Sequence, residues 1–201
     1  DLPKHTAGAI YPFEHSFDNQ QLDPLPTLLY EFSLHYYVAG LRWAGSPYAY
    51  HTLGSIIAIH YQAYARVRGF PKRSGAEDFY LLNKAAKTGT IISLEKPLIT
   101  IEARESSRVP FGTGPAVKAL SAMAQPLAMP VYHPECFRYL KVFLMALEHS
   151  SATGKWIVPA ASNRDAQSLD HELLQAIANK MGIEQALVHA NRQGKDQRSR
   201  R

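Results

Sequence analysis

The 201-residue chain has a single cysteine, Cys136. One thiol excludes an internal disulfide framework and a zinc site of the Cys-x-x-Cys kind. It fits a reducing compartment, and the cytoplasm is the expected location. No run of about 18 apolar residues occurs, so no transmembrane segment is expected within this chain. Charge is scarce as well, at 19% Asp, Glu, Lys and Arg, and it is uneven. Arg192, Lys195, Arg198, Arg200 and Arg201 crowd the last ten residues of a chain whose formal net charge is +5. A basic tail of that kind reads as a solvated, disordered end. It lacks interleaved aromatics, and the chain carries no recognisable nucleic-acid motif, so no nucleic-acid partner is expected.

What the chain does have is apolar and aromatic content. A hydrophobic share of 46%, with 11 Tyr and 8 Phe, suffices for a real core in one domain and a small appendage. Ring faces suit a sugar site, where they stack on pyranose C–H surfaces, and they suit a filled core equally well. The pattern predicts a strand around Ala9–Phe13 and a helix over 27–44, stopped by Gly45-Ser46-Pro47. A strand over Ser55–His60 and a short helix over Tyr61–Val67 follow. A further helix within Ser74–Lys87 has Gly89 as its C-cap. Strands are expected at Thr90–Leu94 and Leu98–Glu102, a rigid glycine-punctuated loop at 109–115, and helices over 116–125, 134–149 and 166–190, the last broken near Gly182. The fold class is therefore mixed α/β.

The stretch from Gly54 to Leu82, GSIIAIHYQAYARVRGFPKRSGAEDFYLL, carries the candidate chemistry. Gly54-Ser55 precede an apolar strand, Gly69-Phe70-Pro71 closes an amphipathic segment, and Glu77 and Asp78 head a helical pattern. Acidic residues in a first helical turn are favoured by the macrodipole, so capping alone accounts for an isolated Glu-Asp. Gly54 allows close backbone approach and Ser55 offers a hydroxyl, or the pair is simply a tight strand entry. His51 is either a substrate contact or a packed histidine. Cys136, beside Phe137 on a helical pattern, is expected to be buried.

The order of these elements resembles the second half of the catalytic domain of family 2 glycosyltransferases, over residues 9–117. The resemblance implies a partial GT-A sheet with helices for 1–117, followed by a helical accessory region over 118–191 and the basic tail 192–201. It implies an inverting transfer of a hexosyl group from a nucleotide sugar to a hydroxyl acceptor. Asp78 would be the base, Glu77 its neighbour, and Gly54, Ser55 and His51 substrate contacts. His60 stands where many members carry Arg. Arg104 and Arg108 fall near the family's Gln-x-x-Arg-Trp, of which only the arginine has a counterpart; they would meet the donor's diphosphate by charge-assisted bonds. Glu14-His15 would lie toward the donor side. The family's Asp-x-Asp, which holds Mg or Mn and the diphosphate, does not occur in this chain. The expected partner is therefore an N-terminal, nucleotide-binding half of the same enzyme. The rival expectation is a non-catalytic interaction module built on the same scaffold, with its helical, basic end contacting a protein or an anionic surface.

Overall fold

Strand β1 (Thr6–Ile10) is the centre of the sheet, buried from Ala7 to Ile10. The computed structural model describes residues 3, 5–17, 23–103, 112–158 and 169–188. Among these, β1 pairs antiparallel with β3 (Ile57–Ile59) and parallel with β4 (Thr90–Ser93), giving the order β3-β1-β4. Strand β2 (Phe13–Ser16) pairs parallel with β5 (Ile99–Glu102). A single strand over Ala9–Phe13 was expected, and two are found. Pro12 has no N–H to give to a ladder, and the Tyr11 N–H turns aside to the Ile56 carbonyl at 2.9 Å. The parallel ladder resumes beyond the break, where the Ile99 N–H meets the Pro12 carbonyl at 2.9 Å.

Helix α1 (Leu25–Trp43) starts two residues before the expected Thr27. Pro26 falls in the first turn, where an N–H has no helical partner anyway, and the Asp23 carboxylate accepts the Leu25 N–H at 3.0 Å. Gly54–Ile56 form a 3-10 turn, so the expected strand over Ser55–His60 shrinks to β3. Helix α2 (Tyr61–Arg66) is as expected, and His60 caps it by accepting the Gln62 N–H. Helix α3 (Glu77–Ala85) packs on β1 and β4. It ends at Ala86, not at Gly89. Gly89 is needed for another reason: a Cβ there would lie 2.3 Å from the His5 carbonyl oxygen, where the chain enters β1. Helix α4 (Thr113–Ser121) begins inside the stretch expected to be a glycine loop.

The chain divides into two compact units, residues 1–39 with 48–131, and 40–47 with 132–201. In the first, Ile10, Phe13, Tyr50, Ile56 and Leu82 form the core, and Ala7, Ala63 and Ala85 a second cluster under α2 and α3. The second contains α5 (Pro134–Thr153) and α6 (His171–Lys180), with 183–188 also helical beyond a break at Gly182. Val142, Phe143, Leu169, Leu174 and Ala178 make its core. Asp170 caps α6 through the Leu173 N–H at 3.0 Å, and its own N–H donates to the Tyr139 hydroxyl at 3.0 Å. Cys136 is exposed, against expectation. It is the neighbouring Phe137 that turns inward, onto Gly40, where any Cβ would collide with its ring.

Candidate functional site

The inner stripe of α3 is Asp78, Leu81, Leu82 and Ala85, the i, i+3, i+4, i+7 spacing of one helix face. Its three apolar members are fully buried. Asp78 is the polar first rung of that stripe, so packing of the helix carries its carboxylate partly out of solvent. The helix has no side-chain cap before it, since Ala76 occupies the N-cap in a left-handed conformation. Asp78 supplies the missing acceptor itself: Oδ1 takes the Phe79 N–H at 2.7 Å. The Gly54 N–H donates to the same carboxylate.

A Cβ on Gly54 would stand 3.7 Å from Asp78 Oδ2. That separation is ordinary contact, so a side chain at 54 would lie against the carboxylate oxygen without displacing it. Gly54 and Ser55 are both exposed beside it. Two of the residues singled out in the sequence are thus brought together by tertiary structure. Burial, first, and the adjacent Glu77 charge push the Asp78 carboxyl above its ordinary value of 3.8, with the N–H donors pulling the other way.

Tyr30 of α1 and Thr113 of α4 complete the neighbourhood. Their hydroxyls are hydrogen-bonded, and the Tyr30 phenol is pushed up, mainly by burial and further by the charge on Asp78. Tyr30 was missed in the sequence because its turn of α1 shows only helical periodicity. Thr113 had a signal, since it lies in the Phe111-Gly-Thr-Gly stretch.

His51 is packed, not isolated. Its ring stands edge-on to Phe13 at 5.1 Å and to His35 at 4.8 Å, and His35 stacks on Phe13. His15 belongs to the same group. Its Nδ1 is 2.6 Å from Glu31 Oε2, which also accepts the His15 backbone N–H at 2.9 Å, and its side chain is only 4% exposed. Glu14 is exposed. Arg104 and Arg108 lie outside the described residues, as do 109–111 and the tail 192–201.

Among the described residues no group of three or more His, Cys, Asp or Glu is arranged to hold a metal ion. The group the structure does assemble at the site is the Asp78 carboxylate with its backbone donors. Compared with known proteins, the chain matches no family model, no curated protein and no solved structure. Its function is argued from this geometry.

A partly buried carboxylate that accepts backbone N–H groups, with exposed Gly54 beside it, can accept a proton from a hydroxyl. Its basic form predominates above its raised pKa. Any activity that uses it should therefore rise with pH through a limb above the ordinary value of 3.8. Glu77→Gln removes the like charge and should move that limb to lower pH. A pH profile of kcat/KM for both proteins checks this, and an unmoved limb would mean that Asp78 is not the titrating group.

Proposed function

We propose that the chain is the acceptor-side, base-carrying part of an inverting, family-2-like glycosyltransferase with a GT-A arrangement. Asp78 takes the proton from the acceptor hydroxyl as that oxygen attacks the anomeric carbon of a nucleotide hexose. The observation that carries this reading is the seat of Asp78: the first rung of a buried stripe, accepting the N–H groups of Gly54 and Phe79, with exposed Gly54 and Ser55 beside it. A carboxylate present only to cap a helix needs none of that burial.

Glu77 raises the basicity of Asp78 and keeps its proton affinity closer to that of its task. Gly54 and Ser55 offer the acceptor a backbone approach and a hydroxyl. Arg108, with Arg104 beside it, is assigned to the departing diphosphate, where a planar guanidinium binds two oxygens at once. The mixed α/β architecture, with β1 and β4 parallel, is compatible with such an arrangement.

The donor's diphosphate and its Mg or Mn belong, in this reading, to a nucleotide-binding half that supplies the missing Asp-x-Asp. Joined to such a half, the chain should transfer labelled hexose from a nucleotide sugar to a hydroxyl acceptor, and the 201 residues alone should not. Turnover by the chain alone would overturn this division of labour. Failure of the joined protein with every nucleotide hexose would leave the interaction-module reading in its place.

A further inference from the structure

The segment from His60 to Ala76 contains no carboxylate and four cations, Arg66, Arg68, Lys72 and Arg73. All four are exposed, and none is in an ion pair among the described residues. The same segment exposes aromatic surface: Tyr61 at 73%, Phe70 at 48% and Tyr64 at 42%. Single exposed rings are common and need no explanation. Here the backbone gathers them. Ala63 and Val67 hold the inner side of α2 against the core. Arg68 and Gly69 then adopt consecutive left-handed conformations, with φ of 61° and 71°, and reverse the chain. Gly69 permits this, and its Cβ-free surface also lets the Tyr64 hydroxyl lie where a Cβ would come within 2.9 Å. Phe70-Pro71 follow that reversal directly, with the Phe70 ring against Tyr64 at 6.1 Å and two cations on either side in sequence.

We propose that this turn, with exposed Phe70 and with Arg66, Arg68, Lys72 and Arg73 flanking it in sequence, docks onto an anionic lipid bilayer. Exposed aromatic residues among exposed cations match the two components of interfacial binding. The aromatic residues enter the headgroup boundary, and the cations remain at the phosphate level, attracted by the negative surface potential. Tyr61 and Tyr64 suit the same boundary, because each ring has an apolar body and a polar end. A single-stranded nucleic acid, the other polyanion this charge would attract, requires open ring faces for stacking. The rings of this segment are already engaged: Phe70 stands against Tyr64 at 6.1 Å and Tyr61 against His60 at 4.7 Å. The bilayer is the better match.

The inference does not depend on sugar transfer. It does place a surface anchor, Arg66 to Arg73, a short distance in sequence before Asp78, where a lipid-held hydroxyl acceptor would be presented.

Co-sedimentation of the full chain with phosphatidylcholine vesicles, with and without phosphatidylserine, tests it. The chain should bind the phosphatidylserine vesicles, bind pure phosphatidylcholine far less, and release in high salt. Lys72→Glu with Arg73→Glu should lower the partition coefficient at least about tenfold, and Phe70→Ser about tenfold. The changed residues are exposed, so thermal melts should be unaltered, and the milder Lys72→Gln with Arg73→Gln gives a second measure. Phe70→Trp should keep binding and show a blue-shifted emission on vesicles. Neutralising Arg192, Lys195, Arg198, Arg200 and Arg201 to Gln in the full chain should leave the dependence on Phe70 intact. Absence of vesicle binding would overturn the proposal. So would binding that survives the Phe70, Lys72 and Arg73 substitutions and disappears with the tail cations, or capture of a single-stranded RNA in place of vesicles.

Discussion

Asp78→Asn should abolish most of the transfer activity of the joined enzyme while leaving the fold as stable at pH 7 as before, or slightly more so. A general base contributes about 10²–10⁴-fold, so kcat should fall by that factor with donor affinity spared. The stability half of the expectation follows from the direction in which Asp78 is shifted. Its carboxyl is held above the ordinary value of 3.8, mainly by burial. A raised folded-state pKa contributes stability below the unfolded pKa, and that contribution is lost as pH rises through the folded value. At neutral pH the ionised carboxylate is therefore a net cost to the fold. Asparagine removes the charge and keeps an oxygen for the Phe79 N–H. Asp78→Ala removes that oxygen too, and should cost about 1 kcal/mol as a lost helix-start acceptor. Thermal melts at pH 7 and single-turnover kinetics on the two variants separate the roles. A fall of less than about tenfold in kcat, together with a lowered Tm for the Asn variant, would make Asp78 a cap and nothing more.

Leu82→Ala should unfold the first unit far more readily than any surface change. Leu82 has no exposed area and sits among Ile10, Phe13, Tyr50 and Ile56. Truncating a fully buried leucine costs about 2–5 kcal/mol, the upper part applying where the neighbours cannot collapse into the space. Here they belong to β1, β2, the approach to the 3-10 turn and the turn itself, each fixed by backbone hydrogen bonds, so little collapse is open to them. Leu82 is one turn along the stripe from Asp78, and activity should fall along with stability. Denaturant melts followed by far-ultraviolet circular dichroism measure the loss. A shift below about 1 kcal/mol would mean that the site relaxes where the packing says it cannot.

The two substitutions fall on the part of the molecule that the sequence made easiest to read. Glu77-Asp78 followed by Leu81, Leu82 and Ala85 is a helix start and a buried stripe in one line of text. Gly54 and Asp78 were each singled out in the sequence, but their proximity was not legible there; the fold puts a Cβ position on Gly54 3.7 Å from Asp78 Oδ2. What stayed hidden depended on residues distant in the chain. Glu31 reads as one more polar position on α1, and only the folded chain places its carboxylate on the ring and backbone of His15. Tyr30 and Thr113 meet in the same way. The expected strand over Ala9–Phe13 failed at Pro12, where a missing N–H outweighs apolar character. Cys136 failed because the burial on that turn of α5 belongs to the next residue, Phe137.

The parallel pairing of β1 with β4 also has a consequence in time. Thr6–Ile10 finds its parallel partner in Thr90–Ser93, so during synthesis this strand must wait until the whole stretch between them has been made. Closing so long an interval carries an entropic cost that no local contact offsets, and chains dominated by such pairings fold slowly. Helices α2 and α3 are made in that interval with their apolar faces uncovered. Asp78 comes to Gly54 as α3 packs on β1 and β4, so a nascent chain holds its candidate base out in water until that packing has formed.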